Sequence, residues 1–188
     1  MALHARPEFK DSWADELLRR ADAIAALPTL DERLEAAVQA LWDVLGDDDP
    51  SEDRPAISWI GFYRIAEEGN EQGAEPGNAM LLGPHRPKPA CSPIGMHGAC
   101  GQAFLKRETM IVDDVEDLGE GYVACDPRDR SELIIPMFDD AGNPWGVLDA
   151  DSFATKAFSE ADDQVISRYA VACRVSGVSA DKPTRSRA

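Results

Sequence analysis

The chain has 188 residues, of which 44% are apolar, and 19 Lys and Arg against 35 Asp and Glu give it a formal net charge of −16. This apolar content excludes a fully disordered chain, and the length suits one domain with tails. The negative charge and the lack of a Lys/Arg cluster argue against nucleic acid and anionic membranes as partners. The chain contains no run of about 18 apolar residues, so no membrane-spanning helix is predicted. The first twenty residues resemble neither a secretory nor a transit signal, so we expect a cytoplasmic protein.

Two amphipathic helices are predicted near the start of the chain. The first covers residues 11–26, where apolar residues recur at helical spacing, and Pro28 ends it. Thr29 and Glu32 then form a capping box before a second helix, whose apolar residues lie on one face. An acidic loop at 46–55 follows this helix.

The sequence then becomes rich in β-branched and aromatic residues, and its tight hairpins predict an antiparallel sheet with helices packed on it. We expect strands at 57–65, 79–83, 109–114, 131–138 and 145–152, a helix at 99–107, and a last helix at 159–177 capped by Ser159 with Asp162. Two long loops, at 83–98 and 115–130, interrupt this pattern, and long loops in a compact domain are often functional. A further loop at 67–78 joins the first two strands.

Four cysteines are too few for a disulfide scaffold in a chain of this length. Cys91 and Cys125 lie in the two long loops, and Cys100 begins the helix after the first loop, where the helix dipole favours a thiolate. Cys173 falls on an apolar helical stripe and is expected in the core. Spacing alone favours redox chemistry and unreactive thiols equally. A zinc site with His97 is a weaker alternative, because no C-x-x-C pair occurs and His97 is expected to be a solvated loop residue.

Three acidic residues lie among apolar residues on the last two predicted strands. Alternation puts Glu132 and Ile134 on one face of their strand, and Asp149 and Asp151 on one face of the next. These acids either lie on the solvent face of a hairpin or are desolvated at the mouth of a site. In a site, like charges held close raise the pKa of at least one carboxyl group, and they could bind an ammonium group.

Aromatic residues share one face of the strand at 57–65, where Trp59, Gly61 and Tyr63 alternate. Packing in the core is the more common role of such aromatics. The alternative is a slot, opened by Gly61 between the two rings, that holds a small apolar group such as a methyl.

Together these residues resemble the free methionine-(R)-sulfoxide reductases, single-domain enzymes of the GAF fold. The resemblance runs from the first helix to about residue 176, through WIGFY (59–63), LLGPHRPKPAC (81–91), GACG (98–101), GYVACD (121–126), SELIIPM (131–137) and GVLDADS (146–152). It implies an α+β GAF fold with a central antiparallel β-sheet, N- and C-terminal helices packed on one face, and active-site loops on the other. We expect one GAF domain at 11–178, an N-terminal tail at 1–10 and a polar C-terminal tail at 179–188.

The resemblance implies roles for three of the cysteines. Cys125 matches the nucleophile, Cys91 the main resolving cysteine and Cys100 a secondary thiol. The implied activity is reduction of free L-methionine-(R)-sulfoxide to L-methionine through a sulfenic acid on Cys125 and an intramolecular disulfide that thioredoxin reduces. No metal or organic cofactor is expected. The segment 91–100 is one residue shorter than the family pattern and lacks its usual aromatic, and the insert at 67–78 is long.

The resemblance also implies a set of substrate-binding residues. Glu132, Asp149 and Asp151 match the acids that hold the substrate's ammonium group and the polarised sulfoxide, and Glu132 is the expected proton donor. Trp59 and Tyr63 match the aromatic wall around the S-methyl group. The alternatives are a non-catalytic GAF module for small-molecule binding or redox sensing, and a zinc-bound structural protein. A homodimer through the terminal helices is an expectation by analogy.

Overall fold

A seven-stranded sheet organises the part of the chain that the computed structural model describes, which comprises residues 12–46, 54–119, 126–178 and, for the backbone alone, 181–186. The elements are α1 (Trp13–Ala25), α2 (Leu30–Leu45), β1 (Trp59–Ile65), β2 (Ala79–Arg86), β3 (Ile94–Gly95), α3 (Ala99–Lys106), β4 (Glu108–Val112), β5 (Ser131–Phe138), β6 (Pro144–Ser152), α4 (Glu160–Ala172) and β7 (Asp181–Ser186). The strand order is β3-β2-β1-β6-β5-β4-β7. None of the helices described has the length and apolar content needed to cross a bilayer.

Both predicted capping boxes form, and they explain where α2 and α4 begin. The hydroxyl of Thr29 accepts a hydrogen bond from the backbone N–H of Glu32, whose carboxylate accepts one from the backbone N–H of Thr29. Ser159 and Asp162 make the same reciprocal pair at the start of α4. Each box satisfies two backbone N–H groups that a helix start otherwise leaves without a partner.

The two faces of the sheet carry different layers. On one face, α1, α2 and α4 cover alternate strand residues such as Leu133 and Leu148, and Cys173 packs there with no exposed surface, which confirms its expected core position. On the other face, α3 and the loop before it cover Tyr63, Ile134 and their neighbours. The expected arrangement of helices on one face and loops on the other is therefore confirmed.

The segment 83–98 and the C-terminal segment differ most from the sequence predictions, and α4 ends at Ala172 rather than at the expected residue 177. The loop expected at 83–98 is partly regular, because β2 continues to Arg86 and Ile94–Gly95 forms β3. The pairing of β2 with β1 shifts register between Gly61 and Tyr63, which marks a bulge at Pro84. β2 tolerates the proline there, because an unpaired bulge residue does not need to donate a backbone N–H.

The C-terminal segment is the second difference. Part of the expected polar tail forms β7, which pairs in parallel with the edge of β4, where open backbone groups can accept a strand of any polarity. The expected N-terminal tail at 1–10 lies outside the described residues, and the domain boundaries remain predictions.

Strand register sets the geometry of the loop-covered face. Asp151 on β6 lies between Trp59 on β1 and Glu132 on β5, all three paired antiparallel. Two residues back, Asp149 lies between Gly61 and Ile134 in the same way. Because these pairs share one face, the register alone brings the three predicted acids next to the predicted aromatic residues.

Candidate functional site

A cavity of about 170 Å³ opens on the loop-covered face of the sheet. Strands β5 and β6 form its floor, β1 forms an aromatic wall, and the start of α3 and the loop before it form a second wall. Seven of the eight predicted site residues line it: Trp59, Tyr63, Cys91, Cys100, Glu132, Asp149 and Asp151. The eighth, Cys125, lies outside the described residues.

The floor of the cavity is a cluster of carboxyl groups. Glu132, Asp149 and Asp151 are each less than one-tenth exposed, and each offers an oxygen within 4.8 Å of one from the other two. No lysine or arginine of the described chain lines this cavity. The cluster therefore gathers acidic groups away from water without a cationic side chain beside them, which suits a site for a bound cation.

Burial is the main cause of the pKa shifts in this cluster. It raises the pKa of Asp149 to about 7, and it raises the pKa of Glu132 well above its usual range, with the charge of Asp149 adding to the effect. Burial also raises the pKa of Asp151, which is raised further by the charges of Asp149 and Glu132. Carboxyl groups in this state can hold a proton near neutral pH and donate it to a bound ligand.

Cys100 contacts the acid cluster directly. Its thiol donates a hydrogen bond of 3.2 Å to Oδ2 of Asp149, while Oδ1 of Asp149 is buried without a hydrogen-bond partner in the described structure. Burial and the nearby carboxylates raise the pKa of the Cys100 thiol well above its usual value. The expectation that the helix dipole makes Cys100 a thiolate is therefore wrong, because desolvation and three acids outweigh the dipole.

The aromatic wall also holds the loop that carries Cys91. The indole N–H of Trp59 donates a 2.8 Å hydrogen bond to the carbonyl of Lys88, and the hydroxyl of Tyr63 donates one of 2.9 Å to the carbonyl of Cys91. The slot at Gly61, which the sequence offered as the alternative to core packing, is not open. A Cβ atom there would lie 2.4 Å from the ring of Trp59, so this ring itself occupies the space.

Cys91 and His97 are both exposed at the rim of this cavity. His97 is the solvated loop residue that we expected, although it lines the cavity as well. Among the residues that the structure describes, the group close enough to hold a metal ion is the cluster of Glu132, Asp149 and Asp151. That group contains neither thiols nor His97, so it gives no support to the zinc site considered from the sequence.

The segment that follows Cys125 carries polar residues that the sequence analysis did not single out. The carboxylate of Asp126 forms ion pairs with Lys88 at 2.5 Å and with Arg128 at 2.8 Å. Its backbone N–H donates a 3.2 Å hydrogen bond to Oδ2 of Asp129, which is buried. Burial raises the pKa of Asp129 to about 6. The motif CDPRD (125–129) shows the charged residues of this segment, but it does not show their partner Lys88, which is distant in sequence.

This segment lies beside the main cavity. Asp126 and Asp129 line a second cavity of about 50 Å³ together with Trp59 and Asp151, two residues that also line the main one. The residue that follows Cys125 in the chain therefore lines a cavity that shares Trp59 and Asp151 with the main one.

Comparison with known proteins gives a family and several relatives. A model of the GAF domain family matches residues 28–173. The free methionine-R-sulfoxide reductase of Saccharomyces cerevisiae is 34% identical over 115 residues, which span 61% of this chain and 59% of the yeast protein. The GAF fold expected from the motifs is thereby confirmed, and the yeast relative is named for the activity of the enzymes that those motifs resemble.

Solved structures agree with this result. The free methionine-R-sulfoxide reductase of Neisseria meningitidis, solved with its substrate, is 29% identical with a TM-score of 0.69, and the match covers 92% of each chain. The reduced form of fRMsr of Staphylococcus aureus is 27% identical with a TM-score of 0.69, covering 89% of this chain and 97% of that one.

Proposed function

The chain belongs to the GAF domain family, and we propose that within this family it reduces free methionine-R-sulfoxide to methionine with a cysteine nucleophile. The observation that carries the proposal is the cluster of three buried carboxyl groups in a cavity that also holds two thiols and two aromatic side chains. Similarity to the yeast and Neisseria proteins supports the choice of substrate, including the R configuration at sulfur.

Substrate binding follows from the charge of the cavity. A free amino acid carries an α-ammonium group, and Asp149 with Asp151 would bind it by charge-assisted hydrogen bonds, each contributing about 1.5–3 kcal/mol. The same cation would compensate the acid cluster, which has no cationic side chain among the described residues that line the cavity. A peptide-bound methionine sulfoxide has no ammonium group there, so the free amino acid is favoured. Trp59 and Tyr63 would pack against the S-methyl group.

The sulfoxide oxygen leaves as part of a hydroxyl group, so the reaction needs a proton donor. Glu132 is the proposed donor, because burial and the charge of Asp149 raise its pKa well above the usual value. Asp151 lies opposite Glu132 in the strand register and would assist. General acid catalysis of this kind contributes typically about 10²–10⁴-fold to a rate.

Cys125 is the proposed nucleophile, on the resemblance and on its place in the sequence directly before Asp126. Its sulfur attacks the sulfoxide sulfur, the S–O bond breaks, and the oxygen with one proton ends on Cys125 as a sulfenic acid. Methionine leaves, reduced by two electrons. Asp126 lines the second cavity, which shares Trp59 and Asp151 with the main one, and this position supports the assignment.

The resolving step consumes the sulfenic acid. The thiol of Cys91 attacks it, a disulfide with Cys125 forms, and the hydroxyl leaves with the thiol proton as water. Cys91 is exposed, whereas Cys100 is buried with a raised pKa, so Cys91 is better suited to react and to meet an external reductant. A dithiol protein such as thioredoxin would reduce the disulfide, which fits a reducing cytoplasm.

The test is an NADPH-coupled assay with thioredoxin, its reductase and the separate R and S forms of free methionine sulfoxide. We expect turnover with the R form alone, and none with Cys125→Ser. Cys173→Ala is the matched control, because this thiol lies in the helix-side core, so the variant should stay active.

Other outcomes of the same assay would reject the proposal. A silent wild-type protein that still binds methionine sulfoxide or another small molecule would indicate a non-catalytic GAF binding module. Equal rates for the wild-type protein and Cys125→Ser would remove the cysteine mechanism.

A further inference from the structure

We propose that the ion pair between Lys88 and Asp126 is a clasp that holds the Cys91 loop next to the segment following Cys125, and so speeds formation of the disulfide between the two cysteines. This inference rests on the proposed function for its chemistry. Lys88 precedes Cys91 by three residues and Asp126 directly follows Cys125. Their side-chain atoms, Nζ and Oδ2, lie 2.5 Å apart.

The Lys88 side of the clasp starts from a fixed backbone. The carbonyl of Lys88 accepts the indole hydrogen bond of Trp59, and the carbonyl of Cys91 accepts the hydroxyl hydrogen bond of Tyr63. Beyond Cys91, the hydroxyl of Ser92 accepts a 3.1 Å hydrogen bond from the backbone N–H of Leu82 on β2. Segment 88–92 is therefore attached to the sheet along its length.

The Asp126 side is fixed as well. Its backbone N–H donates to Oδ2 of the buried Asp129, and its carbonyl accepts a 3.1 Å hydrogen bond from the N–H of Asp129. Oδ1 of Asp129 in turn accepts from the hydroxyl of Ser58, at 3.5 Å. Because each end of the ion pair has an ordered backbone, the ion pair adds a direct link between the two cysteine-bearing segments.

Arg128 provides a matched control within the same cluster. It contacts the Asp126 carboxylate through Nε at 3.0 Å and Nη2 at 2.8 Å, but it belongs to the segment of Asp126 itself. Replacing Lys88 or Arg128 by a neutral side chain removes one positive charge in each case. The change at Lys88 breaks the contact between the two segments, whereas the change at Arg128 leaves that contact in place.

The chemical step at issue joins two sulfur atoms. The sulfenic acid S–OH and the thiol S–H form one S–S bond and one molecule of water, with no other reactant. Its rate depends on the local concentration of one sulfur near the other. An exposed ion pair typically has a modest effect, so the expected change in this rate is about two- to fivefold.

The first experiment separates the two chemical steps in a single turnover without thioredoxin. At low salt, we expect Lys88→Met to release methionine at the wild-type rate. Its free thiols should then disappear two- to fivefold more slowly than in the wild type, and a sulfenic-acid trap should yield more adduct. Lys88→Arg should restore the rate, and Arg128→Gln should keep it. Added salt should slow the wild-type step toward that of Lys88→Met.

The second experiment does not need turnover. Titration of the Cys91–Cys125 disulfide against glutathione gives its equilibrium constant, which should fall two- to fivefold in Lys88→Met and stay unchanged in Arg128→Gln. The clasp is overturned if this equilibrium constant is the same in the wild type and Lys88→Met. It is also overturned if the constant falls equally in Lys88→Met and Arg128→Gln. Slower methionine release in Lys88→Met would assign Lys88 to the substrate step instead, which also overturns it. A wild-type protein that releases no methionine refutes the proposed function, and this titration still decides the clasp.

Discussion

Replacing Asp149 by Asn should stabilise the protein at neutral pH, because the carboxyl group is buried on β6 and no lysine or arginine is among the described residues that line its cavity. Its pKa is raised by burial from 3.8 to about 7. Between these two values the folded protein binds more protons at this site than the unfolded chain does. The free energy of unfolding therefore falls as pH rises from about 4 to about 7, and this loss is complete above the folded pKa.

The size of the effect follows from the two pKa values. The difference between 3.8 and about 7, at 1.36 kcal/mol per pKa unit, corresponds to about 4 kcal/mol at most. An asparagine keeps the shape of the side chain, and its carbonyl oxygen can still accept the thiol hydrogen bond of Cys100. We expect Asp149→Asn to gain about 1–4 kcal/mol over wild type at pH 8, and close to nothing at pH 4.

The assay is urea unfolding of both proteins at several pH values between 4 and 8, with the difference in free energy of unfolding as the readout. Asp139→Asn is a control of opposite sign, since hydrogen bonds from Asn143 lower the pKa of Asp139. That variant should be less stable than wild type at pH 8. Two results would refute this reasoning: Asp149→Asn is no more stable than wild type at pH 8, or its advantage does not shrink toward pH 4. Either result would mean that the charge of the buried Asp149 is compensated in the folded protein.

Three further predictions concern the floor, the wall and the core. Glu132→Gln should lower kcat for methionine release by about 10²–10⁴-fold while the far-UV circular dichroism stays native, and an unchanged kcat would exclude this proton donor. Tyr63→Phe loses its hydrogen bond to the carbonyl of Cys91, so the free energy of unfolding should fall by about 1 kcal/mol and alkylation of Cys91 should accelerate. Leu148→Ala should cost about 2–5 kcal/mol in urea unfolding without changing KM, whereas a raised KM would link this core position to the cavity.

Local sequence signals predicted much of this fold. Thr29 with Glu32 and Ser159 with Asp162 mark the starts of α2 and α4, because a capping box needs nothing beyond its own first turn. Strand alternation likewise predicted that Glu132 and Asp149 share a face with apolar neighbours, and the register of β5 and β6 agrees. Such signals work where neighbours in sequence are neighbours in space.

The features that sequence did not predict depend on distant contacts. The raised pKa of the Cys100 thiol results from acids on β5 and β6, which outweigh its own helix. The space at Gly61 is filled by the ring of Trp59 and by His85 from the neighbouring strand. The ion pair of Asp126 with Lys88 joins residues that are 38 positions apart. No local pattern reports these contacts.

The alternation of β6 has a consequence for how this protein can change over evolution. Asp149 and Asp151 point into the cavity, and the residues that alternate with them, Leu148 and Ala150, point into the helix-side core. Inserting or deleting one residue in this strand would exchange the two sets, sending carboxylates under the helices and aliphatic groups toward the ligand. The same strand therefore supplies both the acids of the cavity and the apolar residues of the core. We expect β6 to change during evolution by substitution, and insertions and deletions to occur in the connecting loops instead.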